Sequence, residues 1–328
     1  MKRTLICFLV FVSPALADCF HPTQQEEFVD PGTELELLWS DAKFTEGPAV
    51  APDGSIYFTA IRTARIMRFD PCSKEVTMYR KDSGKANGLM FDREGRLLAC
   101  EGSDYGNMRV SITEKDGTVR TLADKYQGKR LNSPNDLTIL PDGRIYFTDP
   151  RYRGHEPQEL DFEGVFLVGK DGKLSVATKD LQRPNGILVS KDGKMAYVAD
   201  HHSDPKQNRH LAMFPVKADG TFGKKEVLFD FEEGRGVDGM AMDTEGNLYA
   251  TAGSGEDAGI YIFSPEGKHL ALIKLPGAPT NCQFGNGNEA STLYITAGVQ
   301  GKEKGTIGAF GLYRIQVKKT GYHPATAR

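Results

Sequence analysis

The sequence has no excess of charge of one sign, and it has no apolar run long enough to cross a membrane. Its 41 lysines and arginines are balanced by 44 aspartates and glutamates, for a formal net charge of −3. This balance excludes a strong electrostatic footprint for nucleic acid or for an acidic membrane surface. With 39% hydrophobic residues, the chain is also too apolar to be disordered.

Several short motifs are also missing. No Cys-x-x-Cys pair or Cys/His cluster occurs, which argues against a structural zinc site. No Gly-x-Ser-x-Gly motif occurs, so the usual sequence signal of a serine hydrolase is absent. No long segment repeats its apolar residues with the 3.6-residue period of a helix, so we expect helices to be short and local.

Residues 1–17 have the features of a secretory signal. The segment starts with basic residues, continues through an apolar run at 5–12 and ends in Ala-Leu-Ala at 15–17, a small-x-small cleavage pattern. The apolar run is far shorter than the ~20 residues of a membrane span. Asp18 stands where a lipoprotein would need a small residue before Cys19. We therefore expect an exported protein, periplasmic or extracellular, with no membrane anchor after cleavage.

Four of the five cysteines remain once this signal is removed. Cys19 and Cys72 lie in polar, turn-rich surroundings, where an oxidising compartment would permit a disulfide. The sequence leaves open whether they pair. Cys100 and Cys282 lie in apolar, strand-like runs, and we expect them to be small buried hydrophobic residues.

Glycine is the residue in excess, with 36 copies or about 11% of the chain against a usual ~7%. Many of these glycines belong to a repeat, in which a short polar residue, usually followed by Gly, heads an apolar alternating run, a turn and a second β-rich run. Successive repeats start 41 to 53 residues apart, which is the spacing of four-stranded propeller blades. The six heading residues are Glu46, Asn87, Asn135, Asn185, Asp238 and Asn281.

The repeat predicts an all-β fold, a six-bladed β-propeller with four antiparallel strands per blade. Asp-Gly or Glu-Gly in five repeats marks the turn between the first two strands. The last repeat ends with its third strand near 312–317, whereas an extra strand near 35–39 precedes the first. We expect that N-terminal strand to join the last blade and close the ring, which removes two open sheet edges.

This reading also sets the domain boundaries. Length alone suggests about two domains, but the repeat predicts one. We expect a signal peptide at 1–17, an N-terminal extension at 18–34, the propeller at 35–318 and a C-terminal tail at 319–328.

The six heading residues are expected to line the central channel, because the first strand of each blade does so. Their side chains would form a ring of carboxylate and amide oxygens around two acids, Glu46 and Asp238. A divalent cation would offset the cost of burying the acids together, and an all-oxygen shell fits Ca²⁺ best, with Zn²⁺, Mn²⁺ or Mg²⁺ as alternatives. Two other interpretations stay open: the residues are local turn formers, or the calcium is purely structural.

The loops on the same face as the ring should cover the channel mouth and form a substrate pocket. The longest of these are 150–163 and 201–209, with 125–134 leading into Asn135. Any residue in such loops can equally be a solvated surface residue. The candidate substrate contacts in the loops are Arg130, Arg151, Tyr152, His201 and Tyr105.

The sequence resembles the senescence-marker-protein/gluconolactonase/luciferin-regenerating-enzyme-like family, especially its gluconolactonase-like members, over about residues 30–317. The more specific stretches are DGTVRTLADKYQGKRLNSPNDL from Asp116, IYFTDPRY from Ile145 and ELDFEGVF from Glu159. The likeness is also carried by EGP at Glu46, ANGL at Ala86, CEG at Cys100, RPNGI at Arg183, YVAD at Tyr197, VDGM at Val237 and PTNC at Pro279.

This resemblance implies a six-bladed propeller with one divalent metal in its channel. Carried over by motif, the ligands are Glu46, Asn185 and Asp238, with Asn135 bound directly or through water. Asn87 and Asn281 match family motifs too, and we place them among the substrate-binding candidates with Arg130, Tyr152 and His201. One departure matters: many gluconolactonase-like members have a histidine-containing segment after the second blade's CE, where this chain reads GSDYGNMR from 102. The substrate preference of gluconolactonases should therefore not be copied to this chain.

The leading functional hypothesis is metal-dependent hydrolysis of a lactone or related ester, a small-molecule substrate. Calcium would polarise the carbonyl, and Asp238 would act as general base on water or as the nucleophile itself. The alternatives are organophosphate or arylester hydrolysis at the same metal, and a non-catalytic extracellular propeller that binds sugar or protein.

Overall fold

The computed structural model describes residues 23–302 and 306–324, and it confirms the predicted six-bladed β-propeller. Six four-stranded antiparallel sheets follow one another around the ring. The first three sheets are β2 (Thr45–Val50), β3 (Ile56–Ala60), β4 (Arg65–Asp70) and β5 (Glu75–Arg80); β6 (Ala86–Phe91), β7 (Leu97–Glu101), β8 (Arg109–Thr113) and β9 (Val119–Ala123); and β12 (Leu137–Ile139), β13 (Ile145–Asp149), β14 (Gly164–Val168) and β15 (Leu174–Thr178). The last three are β16 (Pro184–Val189), β17 (Met195–His201), β18 (Arg209–Pro215) and β19 (Glu226–Asp230); β20 (Met240–Met242), β21 (Leu248–Ala252), β22 (Gly259–Phe263) and β23 (His269–Lys274); and β24 (Pro279–Phe284), β25 (Thr292–Gln300), β26 (Ile307–Gln316) and β1 (Glu36–Ala42).

The ring closes as predicted, through the N-terminal strand. β1 pairs antiparallel with β26, with Glu36 opposite Arg314 and Ala42 opposite Phe310. The Arg314 side chain donates to Glu36 Oε2 at 2.7 Å across this pair. The last blade therefore combines the two ends of the propeller in one sheet, and the outer edge of β26 is covered.

The predicted hairpin turns between first and second strands also form. Their Asp-Gly and Glu-Gly glycines adopt the left-handed backbone conformation that a side chain disfavours. The five glycines and their φ values are Gly54 (88°), Gly95 (76°), Gly143 (90°), Gly193 (72°) and Gly246 (93°).

The hydrophobic core lies between neighbouring blades. One cluster joins Tyr146 and Leu167 of the third blade to Val198 and Phe214 of the fourth, all fully or almost fully buried. Cys100 and Cys282 are buried in two other clusters, which confirms their prediction as small hydrophobic residues. Cys19 lies outside the described residues, so whether it pairs with Cys72 stays open, and the signal peptide, outside them as well, stays a prediction.

Helices are minimal, as the lack of helical periodicity predicts. There is a one-turn α-helix at Gln25–Phe28, and there are 3-10 turns at Ile61–Thr63, Gly255–Asp257 and Gly287–Glu289. No helix within residues 23–302 and 306–324 has the length and apolar character to cross a membrane. The one-turn helix buries Phe28 against Tyr249, with ring centroids 6.2 Å apart.

The first strands pack closely at the end of the ring where they start. The N–H of Gly186 donates to the carbonyl oxygen of Asp238 in the next blade at 2.9 Å, and the N–H of Gly239 donates to Thr280 O at 2.8 Å. A Cβ atom on Gly186 would stand 2.2 Å from that Asp238 oxygen. The glycine after the heading residue therefore lets one blade approach the next.

Candidate functional site

A cavity opens where the first strands begin, and five of the six heading residues line it. Its volume is about 260 Å³. Phe44 and Ile61 contribute apolar wall, and loop residues such as Ser133 and Tyr152 contribute the rest. The five heading residues are Glu46, Asn87, Asn135, Asn185 and Asp238.

The loops that cover this end are held together by hydrogen bonds between blades. Arg151 Nη1 donates to Asn132 O at 2.7 Å, and Ser103 Oγ donates to Arg153 O at 2.5 Å. The Tyr152 hydroxyl donates to His201 O at 2.6 Å, so the three loops predicted to cover the channel mouth meet at one face, together with the 102–108 loop of the second blade.

The two acids in the cavity wall, Glu46 and Asp238, are both buried. Burial and then the charge of Asp238 raise the pKa of the Glu46 carboxyl well above its usual range, although the N–H of Gly47 donates to Glu46 Oε2 at 2.9 Å. Burial also raises the pKa of Asp238. Both shifts indicate carboxylates with less nearby positive charge than their burial requires.

A third buried carboxylate, Asp136, lies beside these two and is absent from the sequence prediction of two acids in a ring of amides. Burial raises its pKa to about 7, and the charge of Asp238 adds to the rise. The N–H of Leu137 donates to Asp136 Oδ1 at 2.9 Å. The sequence does contain a signal for it: four heading residues are followed by glycine, whereas Asn135 is followed by Asp136.

Asn281, the sixth heading residue, is buried but is not among the residues that line the cavity. Its amide fills the space above Gly239, where a Cβ would come 2.0 Å from Asn281 Cγ. The amide hydrogen-bonds Glu46 and Asp136, and both bonds lower the pKa of the acids. This position fits a residue that orients carboxylates, and the predicted substrate contact by Asn281 gains no support from it.

Asn185, Tyr152 and His201 form a chain of hydrogen bonds along one wall. Asn185 Nδ2 donates to the Tyr152 hydroxyl at 3.1 Å, and that hydroxyl donates to the carbonyl oxygen of His201 at 2.6 Å. Asn185 also hydrogen-bonds the Asp238 carboxylate. Because its nitrogen is used in these bonds, the oxygen of the Asn185 amide is the atom it can present to a cation. Tyr152 thus fixes the orientation of a predicted ligand.

His201 is neutral in this wall. Burial, and then the charges of Arg235 and Arg209, lower its pKa from 6.5 to about 3. Its Nδ1 atom is buried and has no hydrogen-bond partner among the residues that the structure describes. His201 can therefore contact a ligand as a neutral ring, but it adds no positive charge to the cavity near pH 7.

Arg235 is a second residue that the sequence prediction missed. Its Nη2 atom donates to Asp238 Oδ2 at 2.5 Å, and this bond and its charge lower the pKa of Asp238 against the effect of burial. Arg235 lies in the loop before the fifth blade, three residues ahead of Asp238, where no other repeat has an equivalent arginine. It holds the Oδ2 atom of the carboxylate, and Asn185 is a second side chain that hydrogen-bonds this group.

Three of the predicted substrate contacts lie elsewhere or have other partners. Arg130 is in a small hairpin, β10 (Lys125–Tyr126) and β11 (Lys129–Arg130), and its Nη2 donates to Pro157 O at 3.0 Å. Arg151 is buried and paired with Glu156, and the Tyr105 ring is 81% exposed. None of these three lines the cavity.

The donor chemistry fits a hard divalent cation in the cavity wall. Within the described part of the chain, no group of three or more His, Cys, Asp or Glu side chains is placed to hold a metal ion. The predicted set differs from such a group, since it combines two acids, Glu46 and Asp238, with the amides of Asn135 and Asn185. All four are oxygen donors in one cavity, and the raised pKa values of the acids show that positive charge would be favourable there.

Comparisons with known proteins find similar sequences and similar structures. The family model described as the SMP-30/Gluconolactonase/LRE-like region matches residues 44–299. A gluconolactonase of Zymomonas mobilis is 31% identical over 299 residues, which cover 83% of this chain and 81% of the relative. A regucalcin of Xenopus laevis is 25% identical over 292 residues, which cover 86% and 94%. The solved structure of a gluconolactonase from Xanthomonas campestris has a TM-score of 0.74 at 26% identity, covering 88% of this chain and 90% of that one.

Proposed function

The chain belongs to the SMP-30/gluconolactonase/LRE-like family, and from that premise we propose that it is a lactone hydrolase whose reaction takes place in the channel cavity. The observation that carries this proposal is the pair of buried acids, Glu46 and Asp238, set among amides in a cavity open to a small molecule. The sequence likeness to a gluconolactonase over four fifths of both chains supports the same substrate class.

We propose that Glu46, Asn135, Asn185 and Asp238 hold a divalent cation, with Ca²⁺ favoured by their oxygen donors. A cation bound there would act as a Lewis acid on the lactone carbonyl. The chain's own contribution is to hold the donors in place. The Gly47 N–H orients the Glu46 carboxylate, and the Tyr152 hydroxyl orients the Asn185 amide.

Asp238 is the proposed general base. Burial raises its pKa, which makes the carboxylate a stronger base than an exposed aspartate, while the Arg235 guanidinium favours the ionised form and fixes its direction. Asp238 takes a proton from water as the water oxygen bonds to the carbonyl carbon. The acyl–oxygen bond of the ring then breaks, and the proton passes to the leaving alkoxide, so the product is a hydroxy acid. In the alternative route, Asp238 itself attacks the carbonyl carbon and the acyl–oxygen bond of the ring breaks, which leaves a mixed anhydride and an alkoxide. A water molecule then gives its proton to the alkoxide and its hydroxide to the anhydride, which releases the hydroxy acid and restores the carboxylate.

Substitution of Asp238 tests the assignment. We expect Asp238→Asn to lower turnover of D-glucono-1,5-lactone by about a thousandfold, because the amide cannot take the proton. The fold should remain, as judged by circular dichroism and thermal unfolding. Asp161→Asn is the matched control, since Asp161 is an exposed acid in a loop of the same face. Full activity of Asp238→Asn on every lactone tried would overturn the proposal.

The cation is tested on the same protein. Treatment with a chelator should abolish turnover, and adding back Ca²⁺, Zn²⁺, Mn²⁺ or Mg²⁺ one at a time identifies the metal that restores it. A metal-stripped protein that keeps its turnover would remove the cation from the proposal. We also propose that the protein is exported. This rests on the signal predicted at 1–17, which lies outside the described residues.

A further inference from the structure

Three basic residues lie at the edge of the cavity, apart from the buried acids. Arg62 is exposed in the 3-10 turn Ile61–Thr63 after β3, Arg153 is exposed in the long loop of the third blade, and Lys85 precedes β6. They come from three different blades, yet all three line the same cavity. A ligand that enters the cavity therefore passes three positively charged side chains.

The backbones of these residues are fixed while two of their charged groups are not engaged. The Lys85 Nζ donates to the carbonyl oxygen of Arg62 at 3.1 Å, and Ser103 Oγ donates to that of Arg153. Among the residues that the structure describes, the guanidinium groups of Arg62 and Arg153 have neither an ion pair nor a hydrogen bond.

Two other arginines near this face are paired with acids. Arg183 binds Glu163 with a nitrogen–oxygen distance of 3.0 Å, and Arg235 binds Asp238 at 2.5 Å. An arginine that is already paired adds little to the recognition of an anion, whereas an unpaired one at a cavity edge is ready to bind it. Arg62 and Arg153 are the unpaired kind.

The acids are distributed in the opposite way. Glu46 and Asp238 lie in the buried wall, and Asp104 is the acidic side chain that accompanies the basic residues at the edge. A substrate whose ester carbonyl reaches the buried wall therefore places its far end among Arg62, Lys85 and Arg153.

We propose that the natural substrate is an anionic lactone, which carries a phosphate, sulfonate or carboxylate remote from the ring carbonyl, and that Arg62 and Arg153 with Lys85 bind this group. The inference rests on the proposed function, and it names the substrate class of that same cavity.

The test compares a neutral and an anionic lactone on the same enzyme. The readout is the ratio of kcat/KM for the 6-phosphate or 6-sulfonate of D-glucono-1,5-lactone to kcat/KM for the unsubstituted lactone, at low ionic strength. We expect the wild-type ratio to exceed one and to fall with added salt, as screening weakens the attraction. Arg62→Gln and Arg153→Gln should each lower the ratio about fivefold, the range of a partly exposed ion pair.

Two further variants make the test specific to the cavity. Arg65→Gln removes an equal charge from an exposed arginine three residues from Arg62, which does not line the cavity, and should leave the ratio unchanged. Asp104→Asn should raise the ratio, since it removes the negative charge at the edge. Asn tolerates the left-handed backbone at Asp104, where φ is 62°, so the loop should keep its shape.

A binding measurement separates this inference from the proposed function. Calorimetry compares D-glucose 6-phosphate with D-glucose on wild type, Arg62→Gln and Arg153→Gln, and it needs no hydrolysis. In one outcome the protein binds D-glucose 6-phosphate through the two arginines and yet opens neither lactone. That result would support the anion site and contradict the proposed lactonase activity. The proposal of an anionic substrate would be overturned by a kcat/KM ratio near one that is unchanged in Arg62→Gln and Arg153→Gln, together with no binding of D-glucose 6-phosphate.

Discussion

His201 shows how a single side chain makes this site sensitive to acid. Its ring is partly buried, and desolvation together with the charges of Arg235 and Arg209 keeps it neutral in the folded protein down to its lowered pKa of about 3. In the unfolded chain the same ring binds a proton near its ordinary pKa of 6.5. Between these two values only the unfolded state takes up the proton, so folding stability falls as the pH falls through that window.

The variant His201→Gln removes this contribution. We expect the free energy of unfolding of the wild type, relative to the variant, to drop by about 1.4 kcal/mol for each pH unit below 6.5. Urea unfolding of both proteins at about pH 7.5 and about pH 5 measures the difference, and the other titrating groups largely cancel. A difference between the two proteins that does not change with pH would contradict a His201 ring that stays neutral in the folded protein.

Sequence reasoning found the cavity-lining residues that repeat and missed the charged residues that occur once. Glu46, Asn135, Asn185 and Asp238 were predictable because each stands at the same place in its repeat. Asp136 breaks the pattern of glycines that follow the heading residues, and that break was the available signal. Arg62 and Arg153 lie in loops after the second strand of their blades, and the sequences of these loops do not repeat from blade to blade, so only folding brings the two arginines to one cavity.

At the scale of the strand, the close approach of neighbouring blades sets the position of Asp238. The backbone of the fourth blade reaches the fifth through Gly186, whose N–H holds the Asp238 carbonyl oxygen at 2.9 Å. This contact fixes the start of the fifth blade next to the residue proposed as base. Any atom added at Gly186 must push the two first strands apart.

We therefore expect Gly186→Ala to destabilise the protein by about 2 kcal/mol and to lower activity as well, because its Cβ would stand 2.2 Å from a backbone oxygen. Gly143→Ala is the control. Gly143 lies in a hairpin turn at φ 90° with no atom within 4 Å of its would-be Cβ, so the change costs only backbone strain of about 1 kcal/mol. Denaturant unfolding and lactone turnover are measured on both. Equal activity losses in the two variants would show that the blade contact does not position Asp238.

At the scale of the whole molecule, the ring depends on one strand from the N-terminus. β1 covers the edge of β26 and packs Trp39 against Phe58 of the first blade, with ring centroids 5.4 Å apart. A chain that starts at Glu34 keeps this strand, whereas a chain that starts at Lys43 lacks it; both lack the one-turn helix. We expect the shorter chain to aggregate or unfold at lower temperature, because the edge of β26 is exposed. Size-exclusion chromatography and thermal unfolding compare the two, and equal behaviour would contradict the closing role of β1.

The predicted closure was available from the sequence because the strands could be counted: the last repeat lacked one strand and the N-terminus had one too many. The register of the pairing between β1 and β26 could not be predicted from a count of strands. β1 shifts its pairing between Leu37 and Trp39 and again between Ser40 and Ala42, which depends on how both ends of the ring fit together. The same limit applies to the cavity edge, which is assembled from three blades.

The joined ends of the last blade also set an order of events during folding. Glu36 and Arg314 lie 278 residues apart in the sequence, so their contact is among the slowest to form and requires nearly the whole propeller to be present. The first five blades can form from strands that are adjacent in the sequence, whereas β1 cannot pair until β26 is in place. We expect the amides of β1 to gain protection from hydrogen exchange last when the unfolded chain is refolded, and protection of β1 together with the first blade would show a different order. Until the ring is complete, its N-terminal strand is therefore exposed to pairing with other chains.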